Sequence, residues 1–470
     1  MKGINKFVMS SSLLFCGMAL EAGNKPNIVF ILADDLGWTG LGCYGSKYYE
    51  TPNIDKLAAQ GMMFTQGYAC ASVSAPSRAA LMSGQYSSRN GTLRVSDVPK
   101  REKNYQDYIG IQPPNRPFSE DIVTMAEVLK SGGYVTGMFG KWHIEPGDPG
   151  VHGFDNWISS SGKHFGFKTS PGYEVADSVY LSDFMADKAI EFIEDNKDCP
   201  FFLYLPDFLV HKPHEAKQRL IEKYKDKKGY RGQKNPVYAA MTESLDKTVG
   251  RIYGALEKNG LLDNTLIVFS SDNGAQSKTN PDGTVTENSY TDNLPLRHGK
   301  GLMYEGGLRV PYIFMWKGKI KPGTVSDEAI IGLDLYPTFA NVAKCGLPNQ
   351  PVDGVDLTSL LTGKVDKLDE RALYWYYPNY GPAKRKNGKV TYANIPTDVI
   401  IYGDYKLQEY YHCDTEHLEL YNLKEDISES DNLINKEKGM ADKLLKMLRA
   451  WQHETGAVRP VKNEKYVPSR

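Results

Sequence analysis

Through most of the chain, short runs of consecutive apolar residues alternate with segments whose apolar residues recur at helical spacing. The runs 27–32 and 265–270 are apolar and rich in β-branched residues, which is typical of strands covered on both faces of a sheet. Between them, the spacing predicts helices over 54–61, 121–131, 182–196 and 238–259. Strands that alternate with helices predict an α/β domain with a large, mainly parallel sheet flanked by helices.

The pattern changes after a polar, glycine-containing connection at residues 353–363. Beyond it, short aromatic runs predict antiparallel strands, and one further helix is predicted near the end of the chain; the segments are 372–377, 399–402, 405–407 and 436–453. We therefore predict a large α/β domain over residues 23–363 and a smaller C-terminal α+β subdomain, with an antiparallel sheet, over 364–470.

The first 22 residues have the pattern of a secretory signal peptide. Two lysines precede an apolar run over 7–20, and small residues follow it. The apolar part of the segment 1–22 is too short for a comfortable membrane span. Cys16 offers a weaker alternative, a lipoprotein, because Phe15 stands where a small residue is preferred. No other apolar run approaches membrane-spanning length, so we predict export by the secretion machinery and no stable membrane span.

Composition excludes several other classes of protein. The formal net charge of −1 gives no reason to expect nucleic acid or a membrane surface as a general partner. The six cysteines are scattered and show no C-x-x-C spacing, which argues against a disulfide scaffold and a zinc site.

Two acidic clusters follow the two predicted strands. Asp34 and Asp35 come after the first strand, and Asp272 and Asn273 come after the second. Functional groups of α/β proteins gather beyond the carboxyl ends of parallel strands. A donor set made only of oxygen atoms suits a hard cation, with calcium as the first choice and magnesium as the alternative.

The segment from Ser74 to Gly84 reads S-x-P-S-R-x-x-x-M-S-G. Proline near the first turn and the alanines after it also predict the start of a helix. The two interpretations are compatible, because a helix that begins just after Ser74 would point backbone N–H groups at a bound anion.

The motif resembles the signature of formylglycine-dependent sulfatases, in which its first residue is oxidised to an aldehyde that hydrates to a gem-diol. Cys70 does not fit the same frame, since Ser72 and Ser74 stand where proline and arginine would be required. Further segments resemble the same family, in the family's order and over nearly the whole chain: 29–37, 51–55, 140–143, 271–274, 300–301, 304–307, 309–311, 420–423 and 431–433.

The resemblance implies the alkaline-phosphatase-like α/β fold and a set of site residues. It implies one divalent cation held by Asp34, Asp35, Asp272, Asn273 and the modified Ser74. The remaining roles that it implies are as follows: Arg78 steadies the formylglycine, His143 bonds its second hydroxyl, Lys141 and Lys300 grip sulfate, and His211 is the leaving-group acid, with His214 as its rival. His298 stands where many relatives have glycine, and we expect it to contact substrate.

These features together predict an exported sulfatase, matured by an enzyme that acts on Ser74, in a bacterial periplasm. The expected reaction is S–O cleavage of a sulfated carbohydrate through a covalent sulfated formylglycine. Two alternatives remain: a phosphatase or phosphodiesterase of the same superfamily that uses unmodified Ser74, and an inactive protein that binds sulfated glycans. The identity of the sugar depends on the loops 151–180 and 278–293, whose shape the sequence does not give.

Overall fold

The computed structural model describes residues 25–95, 109–111, 115–280, 282–380, 383–386, 389–392, 394–411 and 417–462. The predicted signal peptide 1–22 and Cys16 lie outside these residues. In the described part of the chain, no helix is both long enough and apolar enough to cross a membrane.

Strands and helices alternate along the first part of the chain, and strands dominate the last part. The strands are β1 (Asn27–Ala33), β2 (Met62–Phe64), β3 (Gly67–Tyr68), β4 (Ile109–Ile111), β5 (Val135–Gly140), β6 (Asn156–Ser159), β7 (Phe201–Pro206), β8 (Thr265–Ser271), β9 (Tyr312–Trp316), β10 (Thr324–Ser326), β11 (Ile330–Ile331), β12 (Ala372–Tyr377), β13 (Ala383–Lys386), β14 (Lys389–Tyr392), β15 (Thr397–Tyr402), β16 (Tyr405–Tyr410), β17 (His417–Asn422) and β18 (Val461–Lys462). The helices are α1 (Pro52–Ala59), α2 (Ser74–Ser83), α3 (Ser87–Asn90), α4 (Met125–Ser131), α5 (Leu181–Asp195), α6 (Gln218–Tyr224), α7 (Pro236–Lys258), α8 (Glu305–Leu308), α9 (Leu335–Val342), α10 (Thr358–Leu361) and α11 (Lys438–Thr455).

The large sheet has eight strands in the order β10-β2-β9-β8-β1-β7-β5-β6. β1 is parallel to β7 and β8 on its two sides, and β5 is parallel to β6 and β7. β9 runs antiparallel to both of its neighbours, β8 and β2. The prediction of a mainly parallel sheet is confirmed.

Both faces of this sheet are covered, as the continuous apolar strands predict. Successive residues of β1 point to opposite faces, and Phe30 and Leu32 lie in one apolar core while Val29 and Ile31 lie in another. α2, α4 and α9 supply the first core, and α1, α5 and α7 supply the second. The predicted flanking helices are therefore confirmed.

One predicted helix begins later than the apolar spacing suggested. The predicted segment 121–131 becomes helical only at Met125, because Thr124 and Glu127 form a reciprocal capping box. The Thr124 side chain accepts a hydrogen bond from the Glu127 N–H, and the Glu127 carboxylate accepts one from the Thr124 N–H. Such a pair satisfies two backbone donors at a helix start and fixes where the helix begins.

The C-terminal subdomain contains an antiparallel sheet in the order β12-β15-β16-β17, together with α11. This agrees with the predicted antiparallel sheet and final helix. The subdomain packs against the large domain: the indole of Trp375 is buried and donates a hydrogen bond of 2.8 Å to the carbonyl of Ala69. The sheet therefore lies close behind the segment that leads into α2.

Candidate active site

Ser74 is the first residue of α2 and is almost completely buried. Its hydroxyl oxygen lies 3.4 Å from Asp34 Oδ1 and 3.2 Å from Asn273 Oδ1. Lys300 Nζ approaches the same hydroxyl at 3.5 Å. The helix N-terminus therefore brings Ser74 to the edge of the sheet where the two acidic clusters meet.

The two clusters meet because β1 and β8 are parallel neighbours in register. Ala33 pairs with Ser271, so the next residues of each strand lie side by side. The Asp35 N–H contacts Asp272 Oδ1 at 3.2 Å, and the Asn273 amide donates to Asp35 Oδ1 at 2.8 Å. Four oxygen-bearing side chains from two distant segments thus surround one buried point.

Two lysines pair with the first cluster. Lys141 Nζ lies 2.6 Å from Asp34 Oδ2, and Lys300 Nζ lies 2.6 Å from Asp35 Oδ1. Burial acts to raise the pKa of Asp34, but the charges of Lys141 and its neighbours outweigh burial and hold that pKa at about 2. Both carboxylates are therefore ionised at neutral pH, and Lys300 lies 3.5 Å from the Ser74 hydroxyl.

Arg78 lies one helical turn after Ser74 and is completely buried. Its guanidinium donates to Asp272 Oδ2 from Nε at 2.9 Å, and its Nη2 is 2.8 Å from the same oxygen. Its Nη1 donates to the carbonyl of Lys141 at 2.7 Å. Arg78 therefore orients Asp272 and fixes the backbone that carries Lys141.

Observations on the donor set agree with a divalent cation. Asp34 and Asp35 each offer a carboxylate oxygen, and these oxygens lie within 4.8 Å of one another and of a ring nitrogen of His211. Asp35 Oδ2 is buried and has no hydrogen-bond partner among the described residues. Because hard cations take oxygen ligands, the residues present fit calcium or magnesium held by Asp34, Asp35, Asp272 and Asn273, with the group at position 74.

The balance of charges around Ser74 also agrees with a divalent cation. Three carboxylates, those of Asp34, Asp35 and Asp272, face three cationic side chains, which are Arg78, Lys141 and Lys300. A divalent cation would leave this site with a net positive charge. Such a site favours an anionic substrate and the negative charge that develops on it.

His143 follows β5 and lies beside Lys141. Burial, with the charges of Lys141 and Arg78, lowers the pKa of His143 to about 3, so its imidazole is neutral at pH 7. Its Nδ1 is buried without a hydrogen-bond partner in the described part of the chain. His143 also lines a cavity of about 190 Å³ with Ala75 and Glu145, so this cavity lies beside the start of α2.

The two histidines predicted as candidates for the leaving-group acid have different surroundings. His211 Nε2 lies 3.7 Å from Asp35 Oδ2, and its side chain is 19% exposed. The ring of His214 stacks on Tyr290 at 3.9 Å and faces Tyr238 at 5.9 Å. Burial and the charge of nearby groups lower the pKa of His214 to about 4, so its imidazole is neutral at pH 7.

His298 is placed away from the cluster around Ser74. Its Nδ1 accepts a hydrogen bond from the Thr279 N–H at 3.2 Å, and its ring packs against Tyr304 at 5.2 Å. Burial, with the Arg297 charge, lowers its pKa to about 4. It lines a separate cavity of about 540 Å³, where a substrate contact stays a prediction.

The sequence analysis did not identify His164, which contacts the backbone of His211. His164 is buried, its Nε2 lies 2.8 Å from the carbonyl of His211, and its ring packs against Phe208 at 4.8 Å. His211 packs against the same phenylalanine at 5.0 Å. A single histidine outside any motif gave no signal in the sequence.

Comparison with known proteins shows the family of this chain. The sulfatase family model matches residues 26–345, and a model of the C-terminal part of N-sulphoglucosamine sulphohydrolase matches residues 297–454. A sulfatase of Formosa agariphila is 34% identical, with 92% of this chain and 89% of the relative covered. Human arylsulfatase A is 32% identical, with 94% and 90% covered. The crystal structure of Ps i-CgsB in complex with k-i-k-neocarrahexaose is 28% identical, covers 95% of each chain and has a TM-score of 0.75. With its buried Ser74, oxygen-rich cluster and surrounding cations, the chain belongs to the sulfatase family of enzymes that hydrolyse sulfate esters.

Proposed function

We propose that this chain is an exported sulfatase that hydrolyses sulfate monoesters of carbohydrates with a formylglycine made from Ser74 and one calcium ion. The observation that carries the proposal is the position of the Ser74 hydroxyl. It lies at a helix N-terminus within 3.5 Å of an aspartate, an asparagine and a lysine that belong to three other segments.

The chemistry requires more than a serine hydroxyl at this position. A serine that attacked sulfur would be left as a stable sulfate ester, with no internal route to release it. Hydrated formylglycine at position 74 would supply one hydroxyl to attack sulfur and a second whose loss of a proton would let the carbon–oxygen bond break and free the sulfate. The Nδ1 of His143 is buried without a hydrogen-bond partner among the described residues, and in this proposal His143 bonds that second hydroxyl and triggers its collapse.

Lys141 and Lys300 bind the equatorial oxygens of the sulfate group in this proposal. Both ammonium groups lie beside the carboxylates that surround Ser74, so they can stabilise negative charge on those oxygens. A divalent cation held by Asp34, Asp35, Asp272 and Asn273 supplies Lewis-acid polarisation of the sulfate when it is bound. Arg78 keeps Asp272 in place through two contacts.

His211 donates a proton to the sugar oxygen as the S–O bond breaks. Its ring is partly exposed at the edge of the cluster, and its Nδ1 lies 2.6 Å from the carbonyl of Lys212. That contact fixes Nδ1–H toward the backbone and leaves Nε2 for the substrate. Protonation is needed because a sugar alkoxide is a poor leaving group.

A carbohydrate substrate is supported by the cavity beside His143 and by one relative. The cavity of about 190 Å³ is lined by polar groups suited to sugar hydroxyls, among them Asn115 and Glu145. Ps i-CgsB, which this chain resembles, was crystallised with k-i-k-neocarrahexaose. The predicted signal peptide 1–22 supports export to a periplasm, where sulfated glycans are accessible.

A comparison of sulfate and phosphate esters tests the proposed function. The mature protein is expected to release sulfate from sulfated oligosaccharides with a kcat/KM at least about 100-fold higher than for phosphate release from matching phosphate mono- and diesters. Faster phosphate release would favour a phosphatase that uses unmodified Ser74. Binding of sulfated oligosaccharides without release of sulfate would favour an inactive binding protein.

Replacing His211 separates its role from that of His214. H211A is expected to lower kcat/KM for a sulfated sugar by about 10²- to 10⁴-fold. The loss in kcat/KM caused by H211A should be much smaller for an aryl sulfate whose leaving group is an acidic phenol, because such a phenolate departs without protonation. H214A serves as the matched variant, since it removes a ring from the same segment. A leaving-group-dependent loss in H214A and not in H211A would assign the acid to His214.

A further inference from the structure

The segment that carries Lys300 forms a closed loop between the two domains. We call residues 297–306 the Lys300 loop. The Gly306 N–H donates to the carbonyl of Arg297 at 3.0 Å and so joins the two ends of the loop. A Cβ atom at Gly306 would lie 2.2 Å from the carbonyl oxygen of His298, so only glycine allows this closure. The loop therefore has a fixed shape whose position depends on what holds its ends.

The front of the Lys300 loop is bonded to the large domain by its backbone. The Lys300 N–H donates to the carbonyl of Ala275 at 2.9 Å, and the Gly301 N–H donates to the carbonyl of Ser72 at 2.8 Å. These two contacts set the distance of the loop from the start of α2. The Asn293 side-chain amide adds a third contact, donating to the carbonyl of His298 at 2.8 Å.

The rear of the loop is held by a buried ionic network that comes from the C-terminal subdomain. Lys406 lies on β16, and its Nζ contacts Glu305 Oε1 at 3.0 Å and Glu429 Oε1 at 2.8 Å. The Glu305 N–H donates to Glu429 Oε2 at 2.6 Å. All three side chains are completely buried. Arg309 provides a second cation, with its Nε 2.6 Å from Glu305 Oε2.

Arg297, at the other end of the loop, is bonded to the same subdomain. Its Nη1 donates to the carbonyl of Glu429 at 2.9 Å and to the hydroxyl of Tyr421 at 3.2 Å. Its guanidinium also lies over the ring of Tyr304 at 4.0 Å. Both ends of the Lys300 loop therefore converge on Glu429, and Lys406 is the cation that balances Glu429 and Glu305 together.

A buried ionic network adds little net free energy to the stability of a fold. Apolar side chains of similar volume often give equal or greater stability, whereas ionic groups specify one geometry. The site needs such geometry, since a displacement of about 1 Å in a positioned group can cost about 100-fold in rate. Lys300 Nζ must reach both Asp35, at 2.6 Å, and the Ser74 hydroxyl, at 3.5 Å.

We propose that Lys406 is a positioning residue for Lys300, acting through Glu305 and Glu429 to set the orientation of the Lys300 loop in the active site. The proposal rests on the role given to Lys300 under the proposed function. It assigns the C-terminal subdomain a part in sulfate binding, although Lys406 itself contacts no group that surrounds Ser74.

A double-mutant cycle tests this inference. K406M keeps the length of the side chain and removes its charge, and it is expected to lower kcat/KM for sulfate release by about 10- to 100-fold. In the K300A background the same change should cost less than about twofold, because the group being positioned is then absent. A role confined to folding stability would produce the same loss in both backgrounds and would overturn the proposal.

Two further variants keep the test decisive. E429Q retains the shape of the side chain and an acceptor for the Glu305 N–H. If K406M does not fold, E429Q replaces it in the double-mutant cycle with K300A, and its loss in kcat/KM is expected to depend on Lys300 in the same way. E409Q is the matched control: Glu409 is a buried carboxylate on the same strand, but it pairs with Arg449 and Arg459. E409Q is expected to leave kcat/KM within about twofold, and a loss equal to that of K406M would contradict the proposal.

The same data separate failure of this inference from failure of the proposed function. Absence of sulfate release by the unmodified protein overturns both. Full sulfate release by K300A overturns the role of Lys300 and with it the inference, while the sulfatase assignment stands. Losses that simply add between K300A and K406M overturn the positioning role alone.

Discussion

Ser74→Ala is expected to reduce sulfate release by at least about 10⁴-fold in kcat/KM, because it removes the group from which the nucleophile is made. The change deletes one hydroxyl and should leave the fold intact, since alanine is a good helix former. Binding of the sulfated substrate should persist, because Lys141, Lys300 and the carboxylates remain. The measurement is steady-state sulfate release, combined with direct titration of substrate binding to S74A.

Ser88→Ala is the matched control for this variant. Ser88 is a buried serine in α3, and its hydroxyl has no hydrogen-bond partner among the residues that the structure describes. S88A is therefore expected to keep wild-type activity within about twofold, because removing a hydroxyl without a hydrogen-bond partner among the described residues should change the stability of the protein little. Residual activity of S74A above a few per cent would contradict the assignment of Ser74.

Removal of the divalent cation is expected to lower activity by at least about 10³-fold, and calcium should restore it. Asp34 and Asp35 lie 2.6 Å from Lys141 and Lys300 respectively. A cation held by these carboxylates would add positive charge beside both lysines and polarise the sulfate, so its removal should weaken the stabilisation of the negative charge that develops on sulfate.

The test is dialysis against a chelator followed by titration with calcium or magnesium. D35N should bind the cation more weakly and need a higher concentration for activity. D246N is the control, because Asp246 is a buried carboxylate in α7 that bonds the backbone and side chain of Asn53. Activity that survives chelation in full would contradict a cation at this site. Restoration by zinc and not by calcium would contradict the oxygen-only ligand set.

Much of this site could be predicted because it follows from strand order. Asp34 and Asp272 each come directly after an apolar strand, and parallel neighbours deliver such residues to the same edge of a sheet. The placement of Ser74 at a helix start also followed from its own sequence, through Pro76 and the alanines. For these residues, the local sequence pattern and the general rules of sheet topology were sufficient to predict their place in the fold.

Other features could not be predicted, because no local pattern encodes them. Lys406 lies more than a hundred positions from Glu305, in a strand whose other residues indicate an ordinary antiparallel sheet. His164 supports His211 across a gap of 47 positions. Both contacts depend on how loops and domains pack in three dimensions, and a lone lysine or histidine in a sequence gives no sign of such packing.

The most direct measurement is the mass of the tryptic fragment of residues 57–78, taken from protein made in its native host. This fragment begins after Lys56, ends at Arg78 and contains Ser74. Our account predicts a fragment lighter by one hydrogen molecule than the encoded sequence, as formylglycine requires. An unmodified serine throughout a preparation that hydrolyses sulfate esters at its full rate would contradict the account.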